Sequence, residues 1–273
     1  MQIIFRKLTF ASAASAVVLL ICVFGAVLAP LLAPFGEGDM VGPVWGPPSS
    51  AHLLGLDNLG RDILTRLLYG ARTTLLVATA TTLIAFVCGG FLGFAAGIAD
   101  GRVDAFLSRS VDIMMSVPGL VVSLLVLSLV GTSIPTLILT VAAIESLRVF
   151  RLTRGVAAGI AKLEYLEAAR LRGESLPSIV VFEVLPNAFI PLLAAFGLSF
   201  TYTVLFIAAL SFLGLGIQPP AADWGGMVRD NAPAIGLGAI APVVPAVAIA
   251  ALTVSANVLV DWLLSIRGER NAW

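Results

Sequence analysis

The chain has 273 residues, 59% apolar and 12% charged, with sixteen basic and sixteen acidic side chains in balance. Soluble domains carry about 25% charged residues, so this composition belongs to the membrane class, and a zero net charge removes the electrostatic basis for binding nucleic acid. Its two cysteines, Cys22 and Cys88, both sit in apolar runs; they read as buried thiols, not as a disulfide framework.

No charged residue occurs over Leu8–Gly36, Thr73–Ala99, Ile113–Ile144, Val184–Ala222 or Asn231–Val260. A bilayer core needs about 20 apolar residues per helix. Six spans follow: Ala11–Ala33, Thr73–Ala99, Ile113–Val130, Ile134–Val156, Phe189–Leu213 and Ala239–Trp262. The first follows Arg6-Lys7 but is too long for a signal-peptide core, so it reads as a retained span.

Residues 34–60 are rich in Pro and Gly and predict an ordered loop, with His52 an ordinary loop histidine. Ile63, Leu64, Leu67 and Leu68 then form one helical face, with Arg61, Asp62, Thr65 and Arg66 opposite. That pattern suits a helix lying at the membrane interface. It is read either as a packing lid or as part of a vestibule. In the second span Gly89, Gly93 and Gly97 recur every four residues, which permits close helix approach, within this chain or against another. The third and fourth spans are separated by the turn Gly131-Thr132-Ser133-Ile134-Pro135.

Ionisable groups inside a membrane are functional candidates. Glu145 and Arg148 are spaced to pair on one helical face, as a structural pair or as a contact along a translocation path. On the fifth span Ser199, Thr201, Tyr202 and Thr203 are polar pathway candidates, or interhelical hydrogen bonders.

Between the fourth and fifth spans, Lys162–Arg172 is rich in helix formers and lacks Gly and Pro. Gly173 stands where a helix end favours positive φ, and Leu185-Pro186 suits the start of the next helix. Ala168 and Ala169 keep this surface low, while Glu167 and Arg170 can pair along it. The expected element is a short rigid helix between two spans, able to transmit a push.

Lys and Arg set orientation. Twelve of the sixteen fall in the N-terminal end, the 100–112 and 148–172 segments and the C-terminal tail; Arg61, Arg66, Arg72 and Arg229 fall on the other side. Both termini and the 157–188 loop are therefore expected in the cytoplasm. The only lysines, Lys7 and Lys162, each precede Leu, so there is no Walker A sequence. One histidine excludes His-paired metal sites and Ser-His-Asp triads.

The segment Glu167-Ala168-Ala169, then Gly173, then Leu185-Pro186 resembles the cytoplasmic loop of binding-protein-dependent ABC transporter permeases. Arg151-Leu152-Thr153-Arg154-Gly155 is similar to the segment before that loop, and Glu183 departs from the usual Ile or His. Two further segments resemble the second, C-type permease of dipeptide, oligopeptide and nickel importers. One is Leu54-Gly55-Leu56-Asp57-Asn58-Leu59-Gly60-Arg61-Asp62 with Gly70-Ala71-Arg72; Leu56 replaces the usual Thr. The other is Ser211-Phe212-Leu213-Gly214-Leu215-Gly216, continuing to Pro219-Pro220 and Trp224-Gly225.

The resemblance implies an all-α integral membrane protein of type I ABC importer permease architecture, with six transmembrane helices and a cytoplasmic coupling helix. Residues 1–72 would hold the tail, first span and extracytoplasmic loop; 73–265 a five-helix core containing the coupling loop 157–188; 266–273 a cytoplasmic tail. Glu164, Glu167, Ala168, Ala169, Gly173, Leu185 and Pro186 would dock an ATPase. Gly55, Asp57, Gly60, Arg61, Asp62 and Arg72 would form the extracytoplasmic signature. The implied partners are a homologous permease in a heterodimer, two P-loop ATPases, a solute-binding protein and the lipid bilayer of a bacterial cytoplasmic membrane. ATP and Mg would sit on the ATPases and no cofactor or metal on this chain. Cargo would be peptides, or nickel chelates, opines or related solutes. An ATP-independent channel or secondary carrier, and an intramembrane enzyme, are the alternative classes; the polar insert speaks against the first and the lack of catalytic pairs against the second.

Overall fold

The computed structural model describes residues 9–99, 101–160, 171–175 and 178–268, apart from the side chains of 99, 180, 183, 190 and 266–268. Among these residues the regular structure is helical: α1 (Phe10–Val27), α2 (Ala29–Leu32), α3 (Ile63–Ala99), α4 (Arg102–Met115), α5 (Gly119–Val130), α6 (Ile134–Ile160), a π-helical turn (Ile179–Val184) running into α7 (Leu185–Phe212), α8 (Trp224–Asn231), a 3₁₀ turn (Ala232–Leu237) and α9 (Val243–Gly268).

Four helices are long and apolar enough to cross a membrane, within α1, α3, α7 and α9. A fifth span arises if α4 and α5 are taken together across their bend. Helix α6 is long enough at about 40 Å but carries Glu145, Arg148, Arg151 and Arg154. The expected count of six is thus met by length only when α6 and the bent pair are both included.

Three expected elements differ. The single span Ile113–Val130 is instead two helices bent by 76°. Pro118, with φ −57° and ψ 121°, is the N-cap of α5. A proline also pushes its predecessor out of the helical region, so Val117 cannot continue α4. Helix α5 alone spans about 18 Å, short of a bilayer core. The separate interfacial helix after residue 62 does not exist: α3 starts at Ile63 and runs 37 residues without interruption. Its supposed polar face is not solvated, for Asp62, Thr65 and Arg66 are buried. The first span stops at Val27, and α2 restarts after Leu28 with Pro30 in its first turn, where a missing amide costs nothing.

The strongest helix pairing is α3 against α6, which run parallel. A Cβ on Gly89 would lie 2.2 Å from the carbonyl oxygen of Ser146, and one on Gly93 would lie 2.0 Å from Thr153 Oγ1. One on Gly97 would lie 2.7 Å from the Ala157 Cβ. The four-residue glycine spacing therefore serves contact within this chain. Around that seam, Val77, Leu127, Leu137, Val141, Ile207, Leu210 and Leu252 form the main core, joining α3, α5, α6, α7 and α9. A second core at the other end gathers Phe94, Ile98 and Ala157 with Ile179, Val184 and Ala188.

Candidate functional site

Three places collect the predicted residues. The first is the end of the bundle carrying residues 34–62. There the loop has no sheet, only the bridges Met40–Arg61 and Leu56–Asp62, and side chains supply its order. Asp57 Oδ2 lies 2.7 Å from Arg61 Nε and 3.3 Å from Arg66 Nε, and all three residues are buried. Its Oδ1 accepts from the backbone N–H of Leu59 (2.8 Å) and Arg61 (2.9 Å). Asp62 caps α3, accepting from the Thr65 N–H at 2.8 Å, while its other oxygen meets His52 Nδ1 at 3.1 Å. Gly60 has φ +74°, and a Cβ there would meet the Gly42 carbonyl oxygen at 2.1 Å, so only glycine fits. Gly55 is likewise at positive φ.

The second signature segment folds against the first. The Asn58 N–H donates to Asn231 Oδ1 (2.9 Å), and Trp224 Nε1 donates to the Leu67 carbonyl (3.0 Å). Glu37 takes a hydrogen bond from the Ala222 N–H and, through its carbonyl, one from Arg66. Gly225 lies where a Cβ would be 2.5 Å from the Ala208 carbonyl oxygen. Two motifs about 160 residues apart are thus one packed unit. Arg72 stands outside it. It is exposed and borders an apolar cleft of about 620 Å³ between α1, α3 and α7, with Val23, Leu76 and Phe200.

The second place is a half-open cleft of about 490 Å³ between α4, α5, α6 and α7. The α4–α5 bend supplies Met114, Met115, Val117 and Gly119; α6 supplies Thr140, Glu145 and Arg148; α7 supplies Tyr202. Glu145 is 1% exposed, and neither of its oxygens has a hydrogen-bond donor among the described residues. Arg148 Nη1 stands 3.6 Å away, an ion pair without a hydrogen bond. The guanidinium lies over the Tyr202 ring, 3.7 Å from its centroid. Ser199 lines an adjoining cavity that also reaches Arg148. Thr201 and Thr203 are buried and line neither cavity; the Thr201 hydroxyl donates back to the Gly197 carbonyl (3.1 Å).

The third place is the loop between α6 and α7. Glu164, Glu167, Ala168 and Ala169 lie outside the described residues, as does the side chain of Glu183. Gly173 has φ +77°, and among the described residues no atom lies within 4 Å of a Cβ there, so conformation selects glycine. Leu185 and Pro186 open α7, and both are exposed. Immediately before them Ile179 and Val184 are buried against Phe94 and Ala157, which ties this loop to α3 and α6. On the same side of the fold, Asp104 of α4 pairs with Arg154 of α6, its Oδ2 2.6 Å from Nη2.

Glu37, His52 and Asn231 carry tertiary roles that sequence reading passed over. Their partners lie 10 to 185 residues away, and nothing local marks them.

The family of binding-protein-dependent transport system inner membrane components matches residues 89–270. A di/tripeptide transport system permease of Pseudomonas aeruginosa is 34% identical over 219 residues, covering 78% of this chain and 72% of that protein. A probable D,D-dipeptide transport system permease of Escherichia coli is 35% identical over 185 residues, 68% of this chain and 62% of its own length. A glutathione transport system permease of Pectobacterium atrosepticum is 32% identical over 216 residues, 79% and 72%. This all-helical, multi-pass chain therefore belongs to the binding-protein-dependent transport system inner membrane components, as a permease of an ABC importer.

Proposed function

We propose that the chain is the second, C-type permease of an ATP-driven peptide importer. It pairs with a homologous permease, and each docks a P-loop ATPase that holds ATP and Mg; this chain binds neither and hydrolyses nothing. Residues 34–62 face a solute-binding protein outside the cell, and both termini and the 157–188 loop face the cytoplasm, in keeping with the Lys and Arg distribution. Peptide cargo is favoured because relatives of similar length are named as di/tripeptide and dipeptide permeases.

The observation that carries the mechanism is the burial of Ile179 and Val184 against α3 and α6. A displacement of the docking loop is thereby handed to the two most tightly packed helices. ATP acts only through its different affinity for the two conformers of the assembly. Helices α3 and α6, seamed backbone to backbone by Gly89, Gly93 and Gly97, move as one body. The test is uptake of labelled di- and oligopeptides by cells with and without the gene, with and without ATP depletion. Glu167→Lys is expected to abolish uptake with the permease still inserted in the membrane. Normal uptake by that variant refutes the docking assignment, and uptake driven by an ion gradient without ATP refutes the importer mechanism.

A further inference from the structure

We infer that Glu145 receives the cargo's cationic group, the ammonium end of a peptide, while Arg148 receives its carboxylate. The inference rests on the peptide reading above and names the side chains of this permease that examine the cargo's charge. Glu145 is buried, and among the described residues neither of its oxygens has a hydrogen-bond donor, an arrangement that is costly in a low-dielectric interior. No described residue supplies an ammonium there, for none of them is a lysine. The next arginines along α6 are engaged, Arg151 with Asp112 and Arg154 with Asp104. Arg148, ion-paired with Glu145 at 3.6 Å, stays 46% exposed and spread over Tyr202; among the described residues its guanidinium makes no hydrogen bond, so its donors can turn to a ligand.

The cavity between these groups has the size of a small-ligand site. Apart from Thr140 and Tyr202, its remaining walls are apolar and include Met114 and Met115, flexible side chains that adapt to different shapes. Fixed charges on α6 and adaptable walls around them fit a cargo class with constant charged termini and variable side chains.

The experiment uses the whole transporter in proteoliposomes, with partner permease, ATPases and binding protein. The probes are labelled alanyl-alanine and lactyl-alanine, in which a hydroxyl replaces the ammonium, each loaded on the binding protein to equal occupancy. The readout is the ratio of their delivery rates, which the amount of folded transporter does not move. Wild type is expected to favour the dipeptide by about ten- to a hundredfold, the worth of a charged hydrogen bond, and Glu145→Gln to bring the ratio near one. Should that variant fail to assemble, Arg148→Gln is expected to erase discrimination against alanyl-alanine amide. A preference unchanged by these substitutions, or a wild-type ratio near one, overturns the inference and leaves peptide import standing. A wild type that hydrolyses ATP yet delivers neither probe overturns the peptide reading and this inference with it.

Discussion

Replacing Gly89 by alanine inserts a methyl group where the backbone of α6 already stands. The new Cβ would lie 2.2 Å from the Ser146 carbonyl oxygen, whereas close carbon–oxygen contacts are about 3.3–3.6 Å. Helix α6 must therefore retreat by about 1 Å, and the packing at Gly93 and Gly97 loosens with it. Overpacking of this kind costs about 1–3 kcal/mol. The hydrogen bond from Thr153 Oγ1 to the Gly89 carbonyl, already long at 3.4 Å, adds about 0.6 kcal/mol when lost. Opposing this, alanine improves helix propensity by up to about 1 kcal/mol in water; that gain shrinks in a membrane, where the reference state is already helical. The net expectation is destabilisation by about 1–2 kcal/mol, or a Tm lower by about 2–8 °C. Gly90 is the internal control: it neighbours Gly89, and its Cβ would approach nothing nearer than Thr153 Cγ2 at 4.0 Å. Thermal unfolding of the purified complex in detergent should rank Gly90→Ala near wild type, Gly89→Ala clearly below it and Gly93→Ala lowest. Equal Tm values for Gly89→Ala and Gly90→Ala would refute the seam, because helix propensity, which both substitutions improve alike, and not contact would then be in control.

Asp57→Ala strands the buried Arg61 and Arg66 without their shared counter-charge, a loss of about 3–5 kcal/mol; membrane yield and protease resistance of the 34–62 loop should fall together, far more than for Asp39→Ala on the exposed part of the loop. At Gly173, φ is +77° and a Cβ meets no described residue, so Gly173→Asn should keep most uptake while Gly173→Val loses it, since asparagine tolerates the left-handed region and a β-branched residue does not. Burial pushes the Asp223 carboxyl above the ordinary carboxylate range. The folded state thus binds its proton more tightly than the unfolded one, and stability contributed by this group rises as pH falls through the raised value and levels off near about 4. Asp223→Asn keeps an acceptor for the Gly226 N–H, which Asp223 Oδ2 meets at 3.1 Å. It should equal or exceed wild type in Tm at pH 7 and lose that advantage at low pH, whereas Asp223→Ala forfeits the cap, about 1 kcal/mol.

Much of the bundle was legible because the bilayer imposes one rule on composition. The uncharged runs located α7 to within four residues of its ends, and α9 to within a turn or two. The glycine spacing at 89, 93 and 97 announced a close helix contact, although only coordinates reveal that the partner is α6 of the same chain. The α4–α5 bend was hidden for the same compositional reason: Ile113–Val130 is apolar on both sides of Pro118, and hydropathy carries no information about direction. Charge misled at the start of α3. Arg61 and Arg66 lie on the polar side of an amphipathic pattern, yet both are buried, because Asp57 is folded back onto them.

The distinction between motif and site follows from the same geometry. The Leu54–Asp62 and Ser211–Gly225 segments have sharp local patterns because each position answers to its immediate backbone: a positive φ at Gly60, a helix cap at Asp62, a carbonyl against Gly225. Such demands act on one residue type at a fixed spacing, so they are visible in a sequence. The cavity answers to nothing local. Glu145 and Arg148 come from α6, Tyr202 from α7, and Met114 and Gly119 from the two arms of a bend, and they meet only when the whole bundle has packed. Arg72, which belongs to a motif by pattern, joins neither the loop unit nor the cavity. The strong motifs of this permease therefore build the frame, and the groups inferred above to meet cargo are those whose one signal in the sequence is a charge where lipid would forbid it.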